Sequence, residues 1–173
     1  MLEAVIFVVF PFCMAFAAIS DTLSMTIANR ISVVLLLTFA AVAPLTGMDW
    51  TAYGLHFAAA GLVLAATFVL FALGGMGGGD AKLLAATALW MGMGPPLLEY
   101  LVYTSLAGGA LTLFILAYRS SPFAALTGHN MFLRHFASNS SGVPYGIALG
   151  IGGMIAFSDS PLVQWALGRA VGQ

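Results

Sequence analysis

The sequence is poor in charge: 6% of its residues are charged, with five Lys or Arg and six Asp or Glu in 173 residues, and its formal net charge is −1. Soluble globular domains carry about a quarter charged residues, and this chain is 61% hydrophobic, so it is expected to be an all-α integral membrane protein. No block of like charge is present, which argues against a nucleic-acid partner. The only cysteine is Cys13. One thiol makes no intrachain disulfide, and no CxxC pair exists to hold zinc, so no metal or cofactor site is expected.

Long apolar runs are what the sequence does have. Six can be marked, at residues 2–20, 31–45, 51–73, 83–97, 99–118 and 143–167, and a span takes about 20 residues, so residues 1–173 read as a single polytopic membrane domain of about six transmembrane helices. The first run carries Glu3 in place of a basic n-region and lacks a small-x-small cleavage site before Asp21, so it reads as a retained helix. The second and fourth runs are short, and the last is long and glycine-rich, as a bent or tilted helix would be. Arg30, Lys82, Arg119 and Arg134 follow the odd-numbered spans, whereas Arg169 lies on the other side. Basic residues are enriched in cytoplasmic loops, so those loops are expected in the cytoplasm, with residues 120–141 the largest of them.

Scarcity makes each carboxylate worth weighing. Glu3, Asp49, Glu99 and Asp159 fall on the outer side in this topology, as interfacial groups in water. Asp21 and Asp80 follow the cytoplasmic ends of spans one and three, at one membrane face. An aspartate at the centre of a membrane helix costs about 2.5 to 3.5 kcal/mol, so such groups tend to face a polar cavity. Asp80 ends the stretch Gly74-Gly75-Met76-Gly77-Gly78-Gly79-Asp80-Ala81-Lys82. Five glycines oppose helix by roughly 4 to 5 kcal/mol, which predicts a non-helical, wet loop carrying Asp80. Two carboxylates facing each other across such a cleft share a proton, one activating water and the other polarising a carbonyl, without metal or cofactor.

These residues resemble a known family. Gly77-Gly78-Gly79-Asp80 fits the GxGD signature of intramembrane aspartyl proteases, and Asp80-Ala81-Lys82-Leu83-Leu84 extends it as in type IV prepilin peptidases. Asp21 to Asn29 is similar to their D-x5-I-P-N segment, with Ala28 in the proline position, and Val143-Pro144-Tyr145-Gly146 is similar to the start of their last helix. The resemblance implies an aspartic endopeptidase of the cytoplasmic (inner) membrane, with Asp21 and Asp80 as its catalytic pair facing the cytoplasm. It implies a prepilin-like partner, whose short basic leader is cut from a hydrophobic helix in the lipid bilayer. Between residues 20 and 31 there is no room for an N-methyltransferase domain, so the chain resembles the short form serving tight-adherence (Flp) pili.

Gly77, Gly79, Lys82 and Asn29 are candidate supporting residues: Lys82 as a partner of a carboxylate or of the substrate, or else a membrane anchor, and Asn29 and Arg30 as holders of the loop after span one, or else a helix end and an anchor. His56 reads as a packed or snorkelling residue, and His129 and His135 stand without metal-ligand partners nearby in sequence. An archaeal-type preflagellin peptidase shares the two aspartates; presenilin-like proteases would carry Tyr-Asp and Pro-Ala-Leu, which are absent. A small ion- or proton-coupled transporter also accommodates glycine breaks and buried carboxylates.

Overall fold

A computed structural model describes residues 1–121, 142–170 and 172. Its described residues form seven α-helices and no strand: α1 (Leu2–Ser24), α2 (Asn29–Leu45), α3 (Trp50–Ala72), α4 (Gly78–Met91), α5 (Pro95–Arg119), α6 (Gly146–Phe157) and α7 (Pro161–Ala170). The helices α1, α3 and α5 are long and apolar enough to cross a membrane, and α6 with α7, bent by 45° at their junction, makes a fourth candidate. The chain is an all-α membrane protein. The polar residues 122–141, with Arg134, His129 and His135, lie outside the described residues.

The helix boundaries correct the sequence reading at the points that matter for function. Apolarity stops at residue 20, yet α1 continues to Ser24, so Asp21 lies in its last turn and not after it. The extra turn is closed by Met25 in the left-handed conformation (φ 53°), whose N–H donates to the Asp21 carbonyl at 2.8 Å. The glycine stretch is not a loop up to Asp80. The unwound part is residues 73–77, and Gly78, Gly79 and Asp80 form the first turn of α4. Glycine's helix penalty belongs to helix interiors, and the packing of this turn against the chain before α2 outweighs it. The fourth run breaks at Gly92 (φ 72°), well before residue 97, and Pro95-Pro96 open α5 at positions that need no N–H donor.

Helix α4 is the centre of the bundle. Ten of its fourteen residues are buried, and it packs on α2, α3, α5, α6 and α7. At about 1.5 Å per residue it is roughly 21 Å long, too short for a bilayer of about 30 Å, and its neighbours enclose it. Side-chain hydrogen bonds to backbone carbonyls pin its far end: Trp90 Nε1 donates to Leu35 O at 3.1 Å, and His56 Nδ1 lies 2.6 Å from Leu89 O. Buried His56 is thus a packing residue, as the sequence suggested, and its ring fills the space where a Cβ on Gly92 would stand, 2.6 Å away.

The glycines of α6 are explained by its two neighbours. On one face Gly146, Gly150 and Gly153 meet α1 at Asp21, at the Met14 carbonyl and at Met14 Sδ, while Gly152 on another face meets Thr104 of α5. Small residues at this spacing let membrane helices approach closely. The alternating direction of α1 to α6 gathers the end of α1, the start of α2, the end of α3 and the starts of α4 and α6 at one end of the bundle. At the opposite end Glu3 approaches Arg169 at 3.8 Å.

Candidate active site

Asp21 and Asp80 both lie at that gathered end, within electrostatic range of each other. Asp21 is 5% exposed, and Asp80 is half-buried. Each carboxylate rests on the N-terminus of a helix, but the two helices differ. Asp21 Oδ2 accepts the N–H of Gly146 at 2.7 Å, the first residue of α6, whose N–H has no partner within its own helix. Asp80 is the third residue of α4, and its carboxylate folds back onto the N-cap residue Gly77, whose N–H lies against it. Free N–H groups and the helix dipole both favour negative charge at these two places.

Three glycines make the geometry possible, each for a different reason. A Cβ on Gly146 would lie 2.8 Å from the Asp21 Cβ, so only glycine allows α6 this close to α1. A Cβ on Gly77 would lie 2.8 Å from Asp80 Oδ2, occupying the place of the carboxylate itself. A Cβ on Gly79 would lie 3.2 Å from both the Cβ and the carbonyl oxygen of Ile27, where the chain entering α2 crosses α4. Of the candidate supporting residues, Lys82 pairs with Asn29 rather than with a carboxylate: its Nζ donates to Asn29 Oδ1 at 3.0 Å, linking the starts of α2 and α4. Ala28, in the place of the usual proline, adopts φ −67° and ψ 130°, a conformation proline itself prefers. The backbone at this departure from the motif is one that proline would also fit.

The sequence model of the type IV leader peptidase family matches residues 8–116, which include Asp21, Asp80 and the whole of α2, α3 and α4. The chain belongs to the type IV leader peptidase family. No curated protein and no solved structure matches it. As a leader peptidase it is a membrane-embedded protease, and the family implies a prepilin-like precursor as its substrate class.

Sequence reasoning missed two groups near the site of this leader peptidase. Tyr145, quoted only as part of a helix start, lies with its ring against Gly108, where a Cβ would collide with it, and it is within electrostatic reach of Asp80. Tyr100 is fully buried, and its hydroxyl makes no hydrogen bond of standard geometry although Thr87 and Thr104 flank it. In sequence Tyr100 resembles any interfacial aromatic, so no local signal marks it. The other carboxylates stay away from the pair: Glu3 binds the N-terminal amine at 2.9 Å, Asp49 caps α3 through the Thr51 N–H at 2.9 Å, and Asp159 contacts Ser158 Oγ at 3.3 Å. Among the described residues no three His, Cys, Asp or Glu side chains come together as a metal site.

Proposed function

We propose that this leader peptidase is an aspartic endopeptidase in which Asp21 and Asp80 hold one shared proton and activate a water molecule. The observation that carries the reading is the convergence of both carboxylates on helix N-termini at one end of the bundle. The ionised member takes a proton from water as the water oxygen attacks the scissile carbonyl; the protonated member donates to the carbonyl oxygen and then helps protonate the departing amine. The proton belongs to the pair, so neither aspartate is assigned as its permanent holder. The Gly146 N–H fixes the Asp21 carboxylate, and Gly77 leaves room for that of Asp80.

The substrate in this reading is an Flp-type prepilin, cut between its short basic leader and its apolar helix at the cytoplasmic face of the inner membrane. The basic residues Arg30, Lys82 and Arg119, all at the end of the bundle that carries the aspartates, support that orientation. Residues 1–173 act as one polytopic domain, and N-methylation is not part of this activity. The test is coexpression with an Flp-type precursor, following loss of the leader by gel mobility. Wild type is expected to process it, whereas Asp21→Asn and Asp80→Asn are expected to leave it intact. Processing that survives either substitution overturns the aspartic mechanism.

A further inference from the structure

On the side of α4 away from Asp80, three helices enclose a trough of about 540 Å³. Its walls are the residues i, i+3, i+4 and i+7 counted from Asn29 on α2, from Phe57 on α3 and from Lys82 on α4. Each helix therefore presents two turns of a single face, about 10 Å long. Helices α2 and α3 barely touch, so the trough opens sideways to the surroundings of the bundle. A Cβ added at Gly61 meets nothing within 4 Å, which marks open space along the α3 wall. The hydrogen bonds from Lys82 to Asn29 and from Trp90 to Leu35 hold α2 to α4 at both ends of the trough, and His56 holds α3 to α4 beside Leu89.

We infer that this trough docks the apolar helix of the membrane-borne precursor. The inference rests on the proposed protease reading and adds where the substrate helix sits. Small residues along the walls, among them Ala60, Gly61, Ala85 and Ala86, suit close approach of another helix backbone. A second copy of this chain fits poorly, because a concave face is not complementary to itself across a two-fold axis. The trough is polar at its Asn29 and Lys82 end, with Ser32 one turn further in, and apolar beyond. That order, polar and then apolar, matches a precursor that passes from leader to membrane helix. Positions 80 and 82 lie about 200° apart around α4, so the helix and the dyad are on opposite sides of it. A helix is about 10 to 12 Å across, so three to four extended residues crossing above the α4 N-terminus bridge the two. The connection they cross, residues 73–77, has glycine at 74, 75 and 77.

The test combines cross-linking with trough filling in the full-length protein, with Cys13→Ala removing the native thiol. Gly61→Cys and Ala86→Cys, with Asp80→Asn to keep the precursor whole, are expected to form disulfides with a precursor carrying one cysteine in the first two turns of its apolar helix. Leu113→Cys, on the exposed face of α5, is expected not to. In the active enzyme, Gly61→Leu is expected to raise the half-saturating concentration of full-length precursor about tenfold, as loss of one well-packed contact patch does. The same variant should cleave a short peptide spanning the scissile bond, without the apolar helix, at the wild-type rate. Equal cross-linking at Leu113→Cys, cross-links only between copies of the enzyme, or a phospholipid retained in the trough that precursor does not displace would each overturn the docking inference. So would an unchanged response of the full-length precursor to Gly61→Leu. Cleavage by Asp80→Asn would overturn the Asp21 and Asp80 mechanism instead, with the cross-linking result still legible.

Discussion

The Gly146 N–H donates to Asp21 Oδ2 at 2.7 Å across 125 residues of chain. This bond joins the last turn of α1 to the first turn of α6 and does two things at once. It supplies a donor to a buried carboxylate, and it fixes how far α6 can move from α1. Both depend on the absence of a side chain at position 146.

Gly146→Ala is therefore expected to abolish most precursor processing and to lower stability by about 1 to 3 kcal/mol, the usual cost of forcing extra volume into a packed contact. Gly109→Ala, on α5 where a Cβ meets nothing, is the matched control. It should retain activity and gain up to about 1 kcal/mol from the better helix former. Thermal unfolding in detergent, read beside leader removal, separates the two.

Gly77→Ala and Gly79→Ala are expected to fail differently. At position 77 the new methyl displaces the end of a side chain, the Asp80 carboxylate, so turnover should fall while the unfolding temperature changes little. At position 79 it presses on the Ile27 backbone and Cβ, which cannot rotate away, so stability and turnover should fall together. Equal unfolding temperatures for the two variants would contradict this division.

The Lys82 and Asn29 pair is exposed at its hydrogen bond. A double-mutant cycle with Lys82→Met and Asn29→Ala is expected to give a coupling of about 0.5 to 1.5 kcal/mol, the size of an ordinary side-chain hydrogen bond. Additive effects would mean that the two residues do not act through each other.

Restoring the family's proline should be tolerated. Ala28 already has φ −67°, so Ala28→Pro is expected to keep full processing and to stabilise the protein by about 0.4 to 1 kcal/mol through the unfolded chain. A loss of activity would show that the N–H of residue 28 has a role in the site.

At the far end, His56→Ala should destabilise the protein by removing the partner of Leu89 O and leaving a cavity beside Gly92. The rate at which each folded molecule cleaves a short peptide spanning the scissile bond should stay at the wild-type value, because the ring is remote from both aspartates. A change in that rate at constant folded fraction would place His56 in the reaction.

Hydropathy and the scarcity of charge were enough to read the membrane class, the rough number of apolar segments and the singling out of Asp21 and Asp80. The alternation of spans also put both at one end. Boundaries were less legible where packing overrode local preference. Asp21-Thr22-Leu23-Ser24 looks like the start of a loop, yet it is helical because Asp21 is held against α6. Gly78 and Gly79 look like helix breakers, yet they lie in a first turn pressed against Ile27. The link from Lys82 to Asn29 crosses 53 residues, and no local pattern announces a contact at that separation.

The sequence by itself determined that this chain lives in a bilayer, that it has two carboxylates of interest and that its family's motifs surround them. Only the tertiary structure decided that Gly146 is the donor to Asp21, that Gly77 vacates the place of the Asp80 carboxylate and that a trough runs along the opposite side of α4. The reason is physical. A membrane helix is apolar nearly all the way round, so its hydropathy tells that it is buried in lipid or protein but not which face turns inward. That rotation is set by small residues and a few hydrogen bonds between helices, and those become visible only when the helices are packed together.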